Sequence, residues 1–89
     1  MYYPIHLQAD SNGQLLVTFP DIPEAATAAD TEAQALQMAV DALETALDFY
    51  FEQGRRIPLP SSIGRDQYAV SLSDQSSARV LLHNERLGH

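Results

Sequence analysis

Hydrophobic and polar positions alternate along Tyr3–Gln8, with Tyr3, Ile5 and Leu7 on one face and Pro4, His6 and Gln8 on the other. That pattern predicts a half-buried strand. Proline cannot donate to a ladder, so Pro4 is expected at an edge or at the start of the sheet. Alternation resumes at Gln14–Phe19, where Leu15, Val17 and Phe19 share a face. The turn Ala9-Asp10-Ser11-Asn12-Gly13 between them carries Asn-Gly, which accepts positive φ at little cost, so the two strands form an antiparallel hairpin.

Pro20 and Pro23 then bracket Asp21 and Ile22. Each proline turns its predecessor away from helix, which predicts a stiff, extended loop. A short third strand is expected at Ala25–Ala28.

The period changes to that of a helix over Glu32–Gln53. Thr31 and Gln34 have capping-box spacing, Glu32 suits the first turn, and Gly54 is the expected stop. Leu36, Val40, Leu43, Leu47 and Tyr50 or Phe51 recur every three or four residues as the stripe to be buried. Asp41, Glu44, Asp48 and Glu52 recur on roughly the opposite side. With no lysine four residues on, they repel one another mildly, so strong packing or facing positive charge is needed to offset this.

Gly54–Ser62 reads as a turn and extended connector. Gln67–Leu72 alternates again, and Ser73 or Asp74 can cap a second helix to about Leu87 that presents Ala78, Leu81, Leu82 and the Glu85 stem on one side. The order β-β-β-α-β-α predicts an α+β fold: a small antiparallel or mixed sheet with the long helix packed on one face. The helix before the last strand is long enough for a crossover, which admits a parallel pairing. The position of that strand in the sheet is left open.

Composition narrows the classes. Eighty-nine residues make one domain with a modest core, which oligomerisation would help. There is no cysteine, so no disulfide, thiolate metal site or cysteine nucleophile is available. No run of about 18 apolar residues and no basic leader occur, so the expectation is a soluble, cytoplasmic protein without a membrane span.

Charge is unevenly distributed. The net charge is −7, there is no lysine, and the first arginine is Arg55. Every charged residue before it is acidic. Such a field repels phosphate backbones, so direct nucleic-acid binding by this segment is not expected, and it attracts a basic partner. The plainer account is that acidity keeps a small protein soluble.

The chemistry-bearing residues form no recognisable set. His6 lies on the polar side of its strand with no carboxylate placed to orient it. His83 and His89 are not at the i, i+4 spacing that puts two ligands on one helix face. A metal-dependent nuclease needs clustered carboxylates. Asp10 is expected in a turn, and Asp41, Glu44 and Asp48 on a solvated face. No catalytic residue, cofactor or metal is expected. The candidates for partner contact are Asp21 and Glu24 in the stiff loop, whose docking costs little entropy, and Asp41, Glu44, Asp48 and Glu52 on the helix. For both groups the plain alternative is structural, a shaped connection and a solvated helix face.

The opening Met-Tyr-Tyr-Pro-Ile, the Asn-Gly hairpin, Val17 through Glu24, Asp30-Thr31, Leu47-Asp48-Phe49-Tyr50-Phe51, Ile57-Pro58-Leu59-Pro60-Ser61 and Val80-Leu81-Leu82-His83-Asn84-Glu85 follow in an order that resembles the HicB family of antitoxins. The resemblance spans nearly the whole chain. It implies a truncated RNase H-like fold and a non-enzymatic role: occluding a small basic RNA-cleaving toxin, HicA, which carries a catalytic histidine. It also implies a homo-dimer or homo-tetramer. Residues 1–72 correspond to the toxin-neutralising domain. Residues 73–89 correspond to a helix that in the family leads to a DNA-binding module, and operator binding is not expected of the residues present. A domain of the same fold that binds another protein or a ligand, without a toxin, is the alternative.

Overall fold

The computed structural model describes residues 1–88. Three strands, β1 (Tyr2–Ala9), β2 (Leu15–Thr18) and β3 (Ala26–Ala29), precede helix α1 (Glu32–Gln53), strand β4 (Tyr68–Ser71) and helix α2 (Asp74–Leu87). The expected order and class are met. All strands lie in one antiparallel sheet ordered β3-β2-β1-β4.

Two turns set the local geometry. Asp10 anchors the first hairpin: its carboxylate accepts from the backbone N–H groups of Asn12 (2.8 Å) and Gln14 (3.0 Å), and Gly13 takes the positive φ of 82°. At α1, the Thr31 hydroxyl accepts from the Gln34 N–H (3.1 Å), while the Gln34 side chain accepts from the Asp30 N–H rather than that of Thr31. Gly54 ends the helix with φ 62°, and the N–H groups of Gly54 and Arg55 return to the Phe51 and Tyr50 carbonyls. This is the left-handed stop for which glycine carries no Cβ penalty.

β1 is an inner strand, not an edge. Its first half pairs with β4, from Tyr2 with Ser71 to Ile5 with Tyr68, and its second half with β2, from His6 with Thr18 to Ala9 with Leu15. Pro4 is tolerated inside the sheet because only one flank carries a ladder at its level. β4 is antiparallel to β1, so the parallel pairing does not occur. Residues 54–67 form a long connector after α1 that brings the chain back to enter β4 in this direction.

The core lies between the sheet and α1. Tyr3, Ile5, Val17, Phe19 and Val70 from the strands meet Ala35, Ala39, Leu43, Ala46, Leu47 and Tyr50 from α1. Each large aliphatic side chain removed from water here contributes about 1.5–3 kcal/mol. The buried stripe is turned from the expected one. Three alanines sit at its centre and let the helix approach the sheet, while Leu36, Val40 and Phe51 fall at its margins.

The proline-bracketed segment is not extended. It folds as two successive turns, with the Ile22 N–H donating to the Phe19 carbonyl and the Ala25 N–H to the Ile22 carbonyl. Ile22 is thereby driven fully into the core.

α2 packs through residues that spacing does not single out. Val80 and Asn84 are buried, His83 is half-buried, and Ala78, Leu81 and Leu82 face solvent. No helix among the described residues is long and apolar enough to cross a membrane.

Candidate functional site

The two acids of the Pro20–Glu24 loop are engaged within the chain. The Asp21 carboxylate accepts from the Ser61 backbone N–H (2.8 Å) and hydroxyl (2.5 Å), which ties the loop to the connector. Glu24 accepts from the Tyr50 hydroxyl at 2.5 Å and pairs with Arg55 at 3.1 Å. Arg55 lies over the Tyr50 ring, 4.4 Å from its centre. The Tyr50 hydroxyl chiefly, then a backbone hydrogen bond and Arg55, hold the Glu24 carboxyl below its usual range. Burial, and then the Glu24 carboxylate, push Tyr50 up.

On α1 the acids follow a ridge along the side away from the core, and α2 runs beside it. The Ser76 hydroxyl donates to both oxygens of Glu44 (3.0 and 3.1 Å), so Glu44 is not a solvated acid. Asp48 meets Arg79 at 3.7 Å. One turn further, the Arg79 guanidinium caps the Phe51 ring at 3.9 Å and His83 meets that ring edge-on at 5.0 Å. The His83 Nε2–H donates to the Arg55 carbonyl (2.8 Å), which fixes the proton on that nitrogen. Residues 44, 48 and 51 thus face 76, 79 and 83, two helical ladders rising in the same direction. Glu52 is exposed, and neither Asp41 nor Glu52 forms an ion pair among the described residues.

The other flank of the ridge holds a feature the helical period conceals. Met38, Ala42, Thr45 and Phe49 form a second stripe beside the buried one. With Ala26 and Thr27 of β3, with Ala46, and with Asp41 and Glu24 at its margin, they line an open groove of about 490 Å3. Phe49 is 53% exposed there. The stripe, though not the groove, recurs in the sequence as an i, i+4, i+7, i+11 series interrupted by the hydroxyl of Thr45, and is hidden because one stripe suffices to pack a helix on a sheet.

Asp10, Asp41, Glu44 and Asp48 do not come together. Asp10 serves its own turn, Glu44 and Asp48 face α2, and Asp41 borders the groove. Among the described residues, no group of three or more His, Asp or Glu side chains is placed to hold a metal ion. His6 is exposed on β1. His89, the other histidine considered as a ligand, lies outside the described residues.

Comparisons with known proteins identify the family. The family described as "HicB_like antitoxin of bacterial toxin-antitoxin system" matches residues 2–81. Antitoxin HicB 1 of Photorhabdus laumondii subsp. laumondii is 49% identical over 81 residues, covering 91% of this chain and 52% of that protein. Antitoxin HicB of Escherichia coli K12 is 43% identical over 84 residues, covering 94% of this chain and 61% of that protein. The chain thus spans a little over half the length of these relatives. The crystal structure of the N-terminal domain of Burkholderia pseudomallei antitoxin HicB superposes with a TM-score of 0.66 over 82% of this chain and 99% of that one; at 23% identity this shows the shared fold. Matched by that family over residues 2–81, the chain belongs to the HicB-like antitoxins of bacterial toxin-antitoxin systems.

Proposed function

We propose that this chain is the toxin-neutralising part of a type II toxin-antitoxin pair. It binds a HicA-like RNA-cleaving protein and covers the basic surface that holds RNA. The mechanism is steric and electrostatic occlusion, and the chain performs no chemistry of its own.

The observation that carries this reading is the acid ridge of α1 with the groove beside it. Asp41 and Glu52 lack a cationic partner among the described residues, and every residue before Arg55 that carries charge carries a negative one. A basic partner is drawn to such a surface and a nucleic acid is repelled from it. The internal ties of Asp21, Glu24 and Glu44 support the reading indirectly: they brace the loop and α2 on either side of the ridge, so a partner meets a preorganised surface. Among the six candidate acids, the first contacts are assigned to Asp41 and Glu52, with Asp48 next, its exposed pair with Arg79 being weak.

Calorimetry with the cognate HicA-type toxin, inactivated at its catalytic histidine, tests the reading at low and high salt. Tight binding that weakens with salt is expected, because exposed charges are screened. Tight binding indifferent to salt would keep the function and reject the electrostatic mechanism. Absence of binding would reject the function.

A further inference from the structure

β3 ends the sheet, so the backbone groups on its outer side have no ladder partner. Its sequence, Ala26-Thr27-Ala28-Ala29, carries nothing bulky. Natural edge strands are usually blunted by lysine, proline, a bulge or a covering element, and no lysine, proline or other charged residue occupies this one. Directly beside it lies the groove walled by Met38, Ala42, Thr45 and Phe49 of α1. A free edge and an apolar channel running along it are the two parts of a strand-addition site, in which main-chain hydrogen bonds hold an added strand and a pocket reads its alternate side chains.

We propose that β3 accepts an extended segment of a basic protein as a fifth strand, with a lysine or arginine at Asp41 and a large apolar side chain on Phe49. The identity of that protein as the toxin rests on the function proposed above. Charge selects this occupant. Asp41 stands at the margin of the groove without an ion-pair partner among the described residues, and Glu24 at the margin is already matched by Arg55. A second copy of this chain pairing through β3 would bring Ala26-Thr27-Ala28-Ala29, which carries no cation to match Asp41.

Spacing defines the segment. Asp41 and Phe49 are eight residues apart on α1, a rise of about 12 Å. Residues i and i+4 of a strand point to one face and lie about 13 Å apart. The added strand therefore carries its basic and apolar residues four positions apart, with one small side chain midway between them over Ala42 and Thr45.

The test uses this chain and the cognate HicA-type toxin inactivated at its catalytic histidine. Amide hydrogen exchange at residues 26–29 is followed with and without toxin, and affinities are measured for Asp41→Lys, Phe49→Ser and the remote variant Leu82→Ser. Circular dichroism verifies that each variant folds. Exchange at β3 is expected to slow by at least about tenfold in the complex, as for amides that enter a ladder. Asp41→Lys and Phe49→Ser should each weaken binding on the order of tenfold, while Leu82→Ser stays within about twofold. Tight binding with unchanged β3 exchange, or with both groove variants binding like the parent, would overturn strand addition and leave the antitoxin reading standing. Protection of residues 26–29 that rises with the concentration of this chain alone would give the edge to a second copy and also overturn it. No binding by the parent chain would overturn both proposals.

Discussion

The Asn84 side chain holds both polar backbone groups of Ile57: its Oδ1 accepts from the Ile57 N–H and its Nδ2 donates to the Ile57 carbonyl, each at 2.8 Å. Asn84 is the buried polar residue of the described chain, and its amide mimics a strand partner for a connector that has none. Asn84→Leu leaves two buried backbone groups unpaired and should cost about 2–4 kcal/mol. Urea denaturation followed by circular dichroism measures it. Leu82→Asn, two positions away on the exposed side, should stay within about 0.5 kcal/mol.

Tyr3 predicts the alkaline limit. It is fully buried, and its hydroxyl donates to the Pro58 carbonyl at 2.8 Å. Burial first, then the Asp21 carboxylate and Tyr50, raise it from 10.0 to about 12. A group raised by folding stabilises the fold below its unfolded value and loses that contribution as pH rises through the folded one. Stability should therefore fall between pH 10.0 and about 12, by an amount on the order of 3 kcal/mol. Tyr3→Phe should flatten this limb while costing about 1 kcal/mol at neutral pH for the lost hydrogen bond. Denaturant midpoints across this range decide it, and a limb unchanged in the variant would remove Tyr3 as its source.

Glu24 predicts the opposite sign at acid pH. Its carboxyl is lowered from 4.5, so its contribution is present above that value and fades as pH falls through the lower folded one. Tyr50→Phe removes the leading cause and should move the Glu24 titration back towards 4.5. Carboxyl chemical shifts followed by NMR report it directly. A titration that does not move would shift the credit to the backbone hydrogen bond and then to Arg55.

The pair Asp48–Arg79 is expected to contribute little. Both side chains are more than 60% exposed and the separation is 3.7 Å. A double-mutant cycle should return about 0.5 kcal/mol or less. Arg79→Ala should cost more than Asp48→Ala, because the guanidinium also covers the Phe51 ring.

Features set by near neighbours were legible in the sequence. The bounds of α1, Glu32–Gln53, are those expected, because Thr31 and Gly54 act within one turn of the residues they cap. Leu15, Val17 and Phe19 share the core side as their alternation requires. Features set by distant partners were not legible. Ile22 is buried because two turns, not an extended loop, carry it inward. Asn84 looks like any polar helix residue until Ile57 is placed beside it. Val80 does not stand out by spacing and becomes core only once α2 is set by its ladder with α1. At the candidate surface, the acid ridge was readable from spacing. The groove was not, because it exists only where α1 meets the edge of β3.

The division of β1 between two partners has a consequence for how the chain is made. As it emerges from the ribosome, Tyr2–Ala9 can pair at once with Leu15–Thr18 along its second half alone. The first half must wait for Tyr68–Ser71, and the Leu72 N–H finally closes onto the Met1 carbonyl. Closure of so long a loop is slow relative to hairpin formation. Until then Tyr3 and Ile5 belong to an unfinished sheet, so the first half of β1 settles after the hairpin that its second half forms.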